Sequence, residues 1–499
     1  MYNFLGSLVS YFNIPTLLVV ISVFLGAVYL LCRDRTRWPP GPRPLPFIGN
    51  GLLLTNNRYM YKTFTELAAK YGEIFHLKIG PSWHSVVLTG HDIIREAFVD
   101  KGEYFNNRPN FMKIVKYFGD GKGITMQNGP HWLALRRFAL ASMRDFGVGK
   151  ARMEEKIQEE LNVVISVIDK TNGKPFSPPK LFENAVANII CQIIFGRRFQ
   201  YDDVKFQRLL ERFDFILDNS GPKNDGWNWL PPSVLLTCVP VVRKIVEAFE
   251  DITTFVREEI VDHRDTFDEG NIRDFIAIYL KTEKEGDNTG AHTDENLFQT
   301  IVDLFIAGTE TTSMTIRWAL LYFVLHPDVQ TKCRAEIAEV IGQGRLPSLK
   351  DKGTIPYTEA GILEVQRLAC VAPTALVHTV REPITLRGYH LPKDTFVHAN
   401  VYQSHMDPKT WKDPFAFNPD RWLDETNKLK NNPAFMPFGV GCRVCLGEVL
   451  AKTELFLFIT TLLQKFEFRM VDPDHPPSMD GEQGLTRSPE PFQIIADRV

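Results

Sequence analysis

Apolar residues recur three or four positions apart over much of this chain, the spacing of one face of a helix. The pattern predicts helices over Tyr61–Tyr71, Glu154–Ile168, Lys180–Phe195, Phe206–Asp218, Val241–Phe267 and Ile272–Lys281. A longer helical run contains Ala307–Thr312 and ends near His326-Pro327. Another follows Gly447, carried by Val449-Leu450, Leu455-Phe456, Phe458 and Leu462-Leu463. Strand-like alternation is confined to Ile74–Ile79 and Ser85–Leu88, with a turn at Gly80-Pro81, and to Ile384–Leu391 with Phe396–Ala399. The polar, Gly-containing run Lys284–Asp294 reads as a surface loop. There are no repeats and no low-complexity tracts. These patterns predict a mainly α body with a minor β part, one folding unit from about residue 45 onward.

The N-terminus breaks the pattern. Ile14 to Cys32 is nineteen residues without a charge, long enough to cross a bilayer as a helix. No Lys or Arg precedes it, and Arg33, Arg35 and Arg37 follow it, an asymmetry that places the C-terminal side in the cytoplasm. A cleaved signal peptide would need a basic start and a small-residue cleavage site, and both are missing. Next come Pro39, Pro40, Pro42 and Pro44 within six residues, which cannot be helical and read as a semi-rigid extended hinge. The expected organisation is therefore a lumenal N-terminus with a transmembrane anchor over 1–32, a basic, Pro-rich hinge over 33–50, and a catalytic domain over 51–499.

Composition narrows the partners. A hydrophobic content of 44% with 36 phenylalanines is ample for a large core, and a net charge of −3 gives no sign of nucleic-acid binding. Seven cysteines, scattered and odd in number, are not a disulfide framework and suit the reducing, cytosolic side of a membrane.

The chemistry concentrates near the C-terminus. Phe438-Gly439-Val440-Gly441-Cys442-Arg443-Val444-Cys445-Leu446-Gly447 has the pattern Phe-Gly-x-Gly-x-Arg-x-Cys-x-Gly. The residues read as a cysteine presented to a metal from a tight loop whose glycines permit close approach. Cys445 falls just before a predicted helix N-terminus, where free N–H groups favour a thiolate. Arg443 is placed to answer an anionic group on the same ligand. Cys442 and Cys445 also form a Cys-x-x-Cys, which by itself suggests a redox pair or half a zinc site.

The loop resembles the haem-binding loop of the cytochromes P450, a family that holds haem iron through a cysteine thiolate. The resemblance implies the cytochrome P450 fold behind a single N-terminal transmembrane helix. It also implies haem b as cofactor, ligated through the Cys445 thiolate, with Phe438, Gly439 and Arg443 around it and Cys442 a bystander. Ala307-Gly308-Thr309-Glu310-Thr311-Thr312 matches the family's oxygen-activating helix. Gly308 costs that helix roughly 1 kcal/mol against alanine, which is explained if a flat ring and a small ligand approach the backbone there. The Thr311 hydroxyl can bond back to the Ala307 carbonyl and loosen the helix; the resemblance makes Thr311 the proton-delivering residue, with Glu310 beside it.

Further positions carry over. Trp132 and Arg136, four apart on one helical face, and His378 match contacts to haem propionates, although Val377 stands where relatives usually have proline. Relatives also often place an arginine shortly before the Gly-Ile that leads to the Trp-x-x-x-Arg helix. Here that stretch is Gly119-Asp120-Gly121-Lys122-Gly123-Ile124, and Lys122 cannot make arginine's two-pronged contact, so it is expected to contribute weakly. Glu364 and Arg367, an everyday helical pair when read alone, would close a buried ion network with Arg421.

Asn188–Phe199 and Glu364–Arg367 look most like the animal microsomal family 2 and its steroid-hydroxylase neighbours. What this implies is an endoplasmic-reticulum monooxygenase facing the cytoplasm. It would take electrons from an NADPH-dependent flavoprotein reductase, with cytochrome b5 as a second candidate partner, and insert one atom of dioxygen into a lipophilic substrate: a steroid, a fatty acid or a xenobiotic. Arg137, Arg144, Lys428, Lys430 and Lys452 are candidate reductase contacts. Phe111–Thr125, Phe213–Asn219, Asp303–Thr311 and Val371–Val377 are candidate pocket segments. Two rivals share the fold: a reductase-independent peroxide isomerase, against which the intact Glu310-Thr311 argues, and a non-catalytic haem sensor or carrier.

Overall fold

The computed structural model describes residues 37–54, 59–110, 119–219, 239–286 and 289–499, with Pro15, Val19, Val20, Ser22 and Val23 besides. Apart from those five helical positions, the anchor expected over Ile14–Cys32 lies outside the described residues, as does 111–118 of the first pocket segment. Among the described residues no helix is long and apolar enough to cross a membrane.

Numbering only helices of ten residues or more, the order is α1 Met60–Tyr71, α2 Gly129–Asp145, α3 Ala151–Asp169, α4 Pro179–Ile194, α5 Val204–Asn219, α6 Pro240–Asp265, α7 Phe275–Glu285, α8 Asp294–Leu325, α9 Pro327–Val340, α10 Pro356–Ala369 and α11 Glu448–Lys465. The spine is α8. Its start is capped by the Thr293 side chain, which accepts from the Asn296 N–H, and Asp294 and Glu295 in the first turn suit the positive end of the helix. It stops where Pro327 can no longer donate to the ladder, and that same proline opens α9.

Helix α4 lies along α8, and the contact explains Gly308. A Cβ on Gly308 would sit 2.5 Å from Ile190 Cδ1 of α4. The missing side chain therefore lets two helices pack closely, a reason for the glycine that the sequence reading did not give.

Strands β1 Ile74–Ile79, β2 Trp83–Thr89, β3 His378–Thr379 and, after a separate hairpin of β4 Ile384–Leu386 and β5 Tyr389–Leu391, β6 Phe396–Asn400 complete the site's surroundings. A mixed sheet takes four of them in the order β1–β2–β6–β3. β1 and β2 pair antiparallel, and β2 pairs parallel with β6, Ser85 opposite Phe396. The Pro-rich segment is laid against this sheet: the His76 N–H donates to the Pro40 carbonyl at 2.9 Å, and the Trp38 ring stacks on His76 and His84. The β4–β5 hairpin stands where the sequence suggested one continuous strand over Ile384–Leu391. Its two turn residues, Arg387 and Gly388, both have positive φ, as a tight two-residue turn demands.

Two helix ends also differ from the pattern. α7 begins at Phe275, three residues later than its periodicity suggested, because the buried Asp274 caps it, accepting from the Ala277 N–H at 2.8 Å. Lys284 and Glu285 finish that helix and Asp294 starts α8, so the loop between them is shorter than expected.

Candidate active site

The cysteine loop is a chain of short backbone bonds. The Gly439 N–H donates to the Met436 carbonyl at 3.0 Å, Val444 to Gly441 at 3.1 Å and Cys445 to Phe438 at 2.9 Å. Gly439 and Gly441 have φ of 72° and 82°, the left-handed region that favours glycine. A Cβ on Gly441 would fall 2.0 Å from the Phe98 carbonyl oxygen, so the loop rests directly on the π-helical turn Glu96–Asp100. The half-buried Phe438 ring faces the Lys452 ammonium at 5.4 Å.

Cys445 is accessible and stands two residues before Gly447, the N-cap of α11. Burial of its surroundings pushes the thiol above its ordinary pKa, and the Gly447 amide opposes this. The N–H at the helix start favours a thiolate, as the sequence suggested, and burial outweighs it. A metal ion would reverse that balance, because a coordinating thiol is deprotonated by the charge it binds.

Beside the loop lies a cluster of arginines. Arg136, on α2, donates to the Val444 carbonyl at 2.6 Å. Arg443 donates to the carbonyls of Asn106 at 2.8 Å and Gln127 at 2.7 Å and to Asn128 Oδ1 at 3.1 Å, with its guanidinium 3.8 Å from the Trp132 ring. Arg108, fully enclosed, donates to the carbonyls of Leu376 and Val377 at 2.5 and 2.9 Å. Burial pushes Arg108 down to about 10, and burial with the neighbouring Arg108 charge pushes Arg443 down to about 8. The Trp132 ring nitrogen is buried without an acceptor among the described residues.

His378, on β3, is buried, stacked on Phe98 at 4.1 Å, with Nδ1 2.6 Å from the Phe105 carbonyl. Burial, then Arg108, drives its pKa well below the usual value, so it is neutral. Three crowded cations and an orphaned indole N–H make a site that, among the described residues, is short of negative charge and of acceptors. A ligand carrying carboxylates, as haem does through its propionates, fits this donor set.

Arg108 was not singled out from the sequence, and it adds to the cluster an arginine that the stretch 119–124 does not contain. Its signal is faint: in Asn107-Arg108-Pro109 the proline biases the arginine toward extended backbone. Lys122 is half-buried and within electrostatic reach of Glu295 at the start of α8, two residues before Ile124, whose carbonyl accepts from Arg443 at 3.3 Å.

On α8 the Thr311 hydroxyl donates to the Ala307 carbonyl at 2.8 Å, as its spacing predicted, and Thr315 repeats the bond to Thr311 at 2.7 Å. Glu310 turns away and is buried, accepting from the Thr486 hydroxyl at 2.9 Å. Burial, then the nearby Asp214, raises Glu310 to about 7. Thr486, next to the short strand Arg487–Ser488, is a second residue the sequence reading missed. It faces Glu310 in a polar cavity of about 210 Å³ that Asp218, Asn219 and Glu482 also line. Asp303 is committed to structure rather than to the pocket: its Oδ2 accepts from the Ile124 and Thr125 N–H groups, both at 2.8 Å.

Residues 39–496 match the family model described as Cytochrome P450. The chain belongs to the cytochrome P450 family. It is 39% identical to cytochrome P450 2J2 of Homo sapiens over 96% of this chain and 95% of that protein. Cytochrome P450 2B4 of Oryctolagus cuniculus is 40% identical over 96% and 98%, and cytochrome P450 2B2 of Rattus norvegicus 41% over 96% and 99%. These relatives are animal family 2 members, the narrower group that the sequence suggested. This P450 is a monooxygenase whose cofactor is haem b with a cysteine thiolate as axial ligand.

Behind the cysteine loop the P450 has a closed ion network. Both Glu364 oxygens accept from Arg367, each at 2.8 Å; Arg421 Nε donates to Glu364 Oε1 at 2.8 Å and the Trp422 ring N–H to Oε2 at 2.9 Å. Arg367 also donates to the His405 and Pro414 carbonyls at 2.8 and 2.7 Å. The network was legible from the sequence except for Trp422.

The arginine cluster yields a comparative test of haem retention. Arg108→Ala and Arg443→Ala are each expected to lose haem on dilution roughly tenfold faster than the parent, because each removes a charge-assisted bond worth about 1.5–3 kcal/mol. Lys122→Ala should match the parent. Equal loss from Lys122→Ala would mean that the lysine reaches the cofactor.

Proposed function

We propose that Cys445 is the axial thiolate of this P450, and that Arg108, Arg136, Arg443, Trp132 and the neutral His378 hold the propionates. The observation that carries this reading is a loop with two accessible cysteines, Cys442 and Cys445, beside three crowded arginines that, among the described residues, lack a carboxylate partner; the family motif sets Cys445 at the ligand position. Phe438 and Gly439 shape the loop beneath the cofactor. Bound haem supplies the electron chemistry that activates dioxygen. The chain's part is to place protons and substrate.

Thr311 donates its hydroxyl to the Ala307 carbonyl and keeps its oxygen free to accept, and Glu310, poised near neutrality at about 7, is suited both to give a proton and to regain one. Thr486 holds the Glu310 carboxyl toward the polar cavity, through which a proton can be replaced. The substrate is read as lipophilic: Phe213 of α5 stacks on Phe305 of α8 at 4.8 Å, less than a turn from Ala307. Steroids, fatty acids and xenobiotics share that chemistry.

The electrons are assigned to NADPH through a flavoprotein reductase, with cytochrome b5 as a second donor. Exposed Arg137, Arg144, Lys428 and Lys430 are the cations offered to it; Lys452 is already paired with Glu448 at 2.6 Å. The uncharged Ile14–Cys32 and the arginines after it support an endoplasmic-reticulum anchor with the body in the cytoplasm. The chain is read as an anchor over 1–32, a hinge over 33–50 and a haem-thiolate domain over 51–499.

The test is reconstitution with the reductase and NADPH in phospholipid vesicles, presenting each substrate class in turn. Product from at least one class is expected. Thr311→Ala should keep haem and substrate binding while product per NADPH falls about tenfold or more and peroxide rises. Unchanged coupling would remove Thr311 from proton delivery.

A further inference from the structure

Haem ligation uses only half of the Cys-x-x-Cys. Among the described cysteines Cys191, Cys333 and Cys370 are buried, whereas Cys442 and Cys445 are both accessible and free. The pair lies three residues apart on a loop that reverses direction at Gly441–Val444, closed by the Val444 N–H to Gly441 carbonyl bond of 3.1 Å. Fully extended, that span would hold the Cα atoms about 10 Å apart, whereas a disulfide needs about 4.4–6.8 Å; with Cys442 inside the turn and Cys445 one residue beyond it, the span is not extended.

Arg136 sits against the middle of the span, donating to the Val444 carbonyl at 2.6 Å. Its guanidinium is within electrostatic reach of both thiols, and Cys442 is also among the close neighbours of Arg108 and Arg443. The Phe98 carbonyl under Gly441 and the Cys445 N–H bond to Phe438 hold the loop at both ends. The two cysteines therefore share one fixed loop, with the Arg136 cation near both.

We propose that Cys442 and Cys445 close a reversible disulfide in the haem-free chain, so that cofactor insertion is gated by the local thiol–disulfide balance. The proposal rests on the reading of Cys445 as the haem ligand. The oxidant is a low-molecular-weight disulfide carrying carboxylates, of which oxidised glutathione is the cytosolic form. One cysteine sulfur attacks it, forming a mixed disulfide and expelling one glutathione thiolate, which takes up the proton lost by the cysteine. The second cysteine sulfur attacks the protein sulfur of that mixed disulfide, expels the second glutathione and gives up its proton to it. Two protein thiols are oxidised and one glutathione disulfide is reduced to two thiols.

Arginine clustering favours this class of oxidant, because its carboxylates meet the cations that later meet the propionates. Disulfide and haem exclude one another. A sulfur tied to Cys442 has no thiolate to offer a metal, and a metal-bound Cys445 leaves Cys442 without a partner.

The test takes the full-length chain made under haem limitation and equilibrates it with oxidised or with reduced glutathione. Thiol alkylation with peptide mapping reads the 442–445 linkage, and the ferric thiolate-type spectrum reads haem uptake. In oxidised glutathione the linkage should form and haem uptake should fall about tenfold or more, recovering when reduced glutathione is added. Cys442→Ser and Cys442→Ala should load haem equally in both buffers. Equal loading of the parent in both buffers, a block without the 442–445 linkage, or a Cys442→Ser chain that stays sensitive would each overturn the proposal.

The holoprotein provides a second measurement that does not depend on the haem-free fold. Oxidised glutathione should modify Cys442 alone while haem is retained; linkage formed with haem still bound would also overturn the gate. The ligand reading is judged separately: a Cys442→Ser holoprotein with the thiolate-type carbon-monoxide band sustains it whatever the redox result.

Discussion

Cys445→Ser is expected to abolish the strongly red-shifted carbon-monoxide band of ferrous thiolate haem, and with it monooxygenase turnover. The substitution is a narrow one. The bond that closes the loop runs from the Cys445 backbone N–H to the Phe438 carbonyl, and serine keeps it. Gly439 and Gly441 keep their left-handed backbone, and the arginines keep their positions. What is lost is a soft, electron-rich sulfur, for which a serine oxygen is no substitute. Cys442→Ser should retain the band, because that side chain is not the ligand. Measured side by side in carbon-monoxide difference spectra, the reverse result would move the ligand to Cys442 and undo the motif.

The largest effect on stability is expected at Glu364. Its carboxylate is enclosed and takes bonds from Arg367, Arg421, Trp422 and the Asn418 backbone. Removing one member of a buried network strands the other charges at a cost of roughly 3–5 kcal/mol. That is a large part of a typical margin of about 5–15 kcal/mol. Glu364→Ala should therefore yield little folded holoprotein. Arg367→Lys should fail as well, since one ammonium cannot reproduce a planar fork that bonds Glu364 twice and three carbonyls besides. The exposed pair Arg243–Glu247, at 3.8 Å, is the control: such pairs contribute about 0–1 kcal/mol, and Arg243→Ala should leave stability unchanged. Haem content after expression and the half-life of thermal inactivation check all three. A Glu364→Ala protein as long-lived as Arg243→Ala would show that the network carries no stability.

These two expectations differ in where they were legible. The cysteine loop is local: its glycines, its cysteine and the helix after it lie within a few turns of chain, so spacing alone carried the reading. Thr311 was legible for the same reason, since a hydroxyl four residues from the carbonyl it bonds needs no distant partner. Glu364 and Arg367 were legible from their spacing only as a pair; their burial with Arg421 came from the resemblance, and the contribution of Trp422 was not foreseen.

By itself the sequence determined most of the segments that become helices (though not α9), where the cysteine stands, and which threonine bonds back into its own helix. Each follows from interactions between residues a few positions apart. Tertiary structure alone decided what lies between distant segments. It showed that Gly308 makes room for Ile190 of α4, and that Asp303 is engaged by the backbone of 124–125. It carried the Glu310 carboxyl to Thr486, 176 residues away. It also brought Arg108 beside Arg443, and that meeting matters most. A charge's surroundings are set by whatever the fold packs around it, so three arginines far apart in sequence became one positive site only when the chain closed over them.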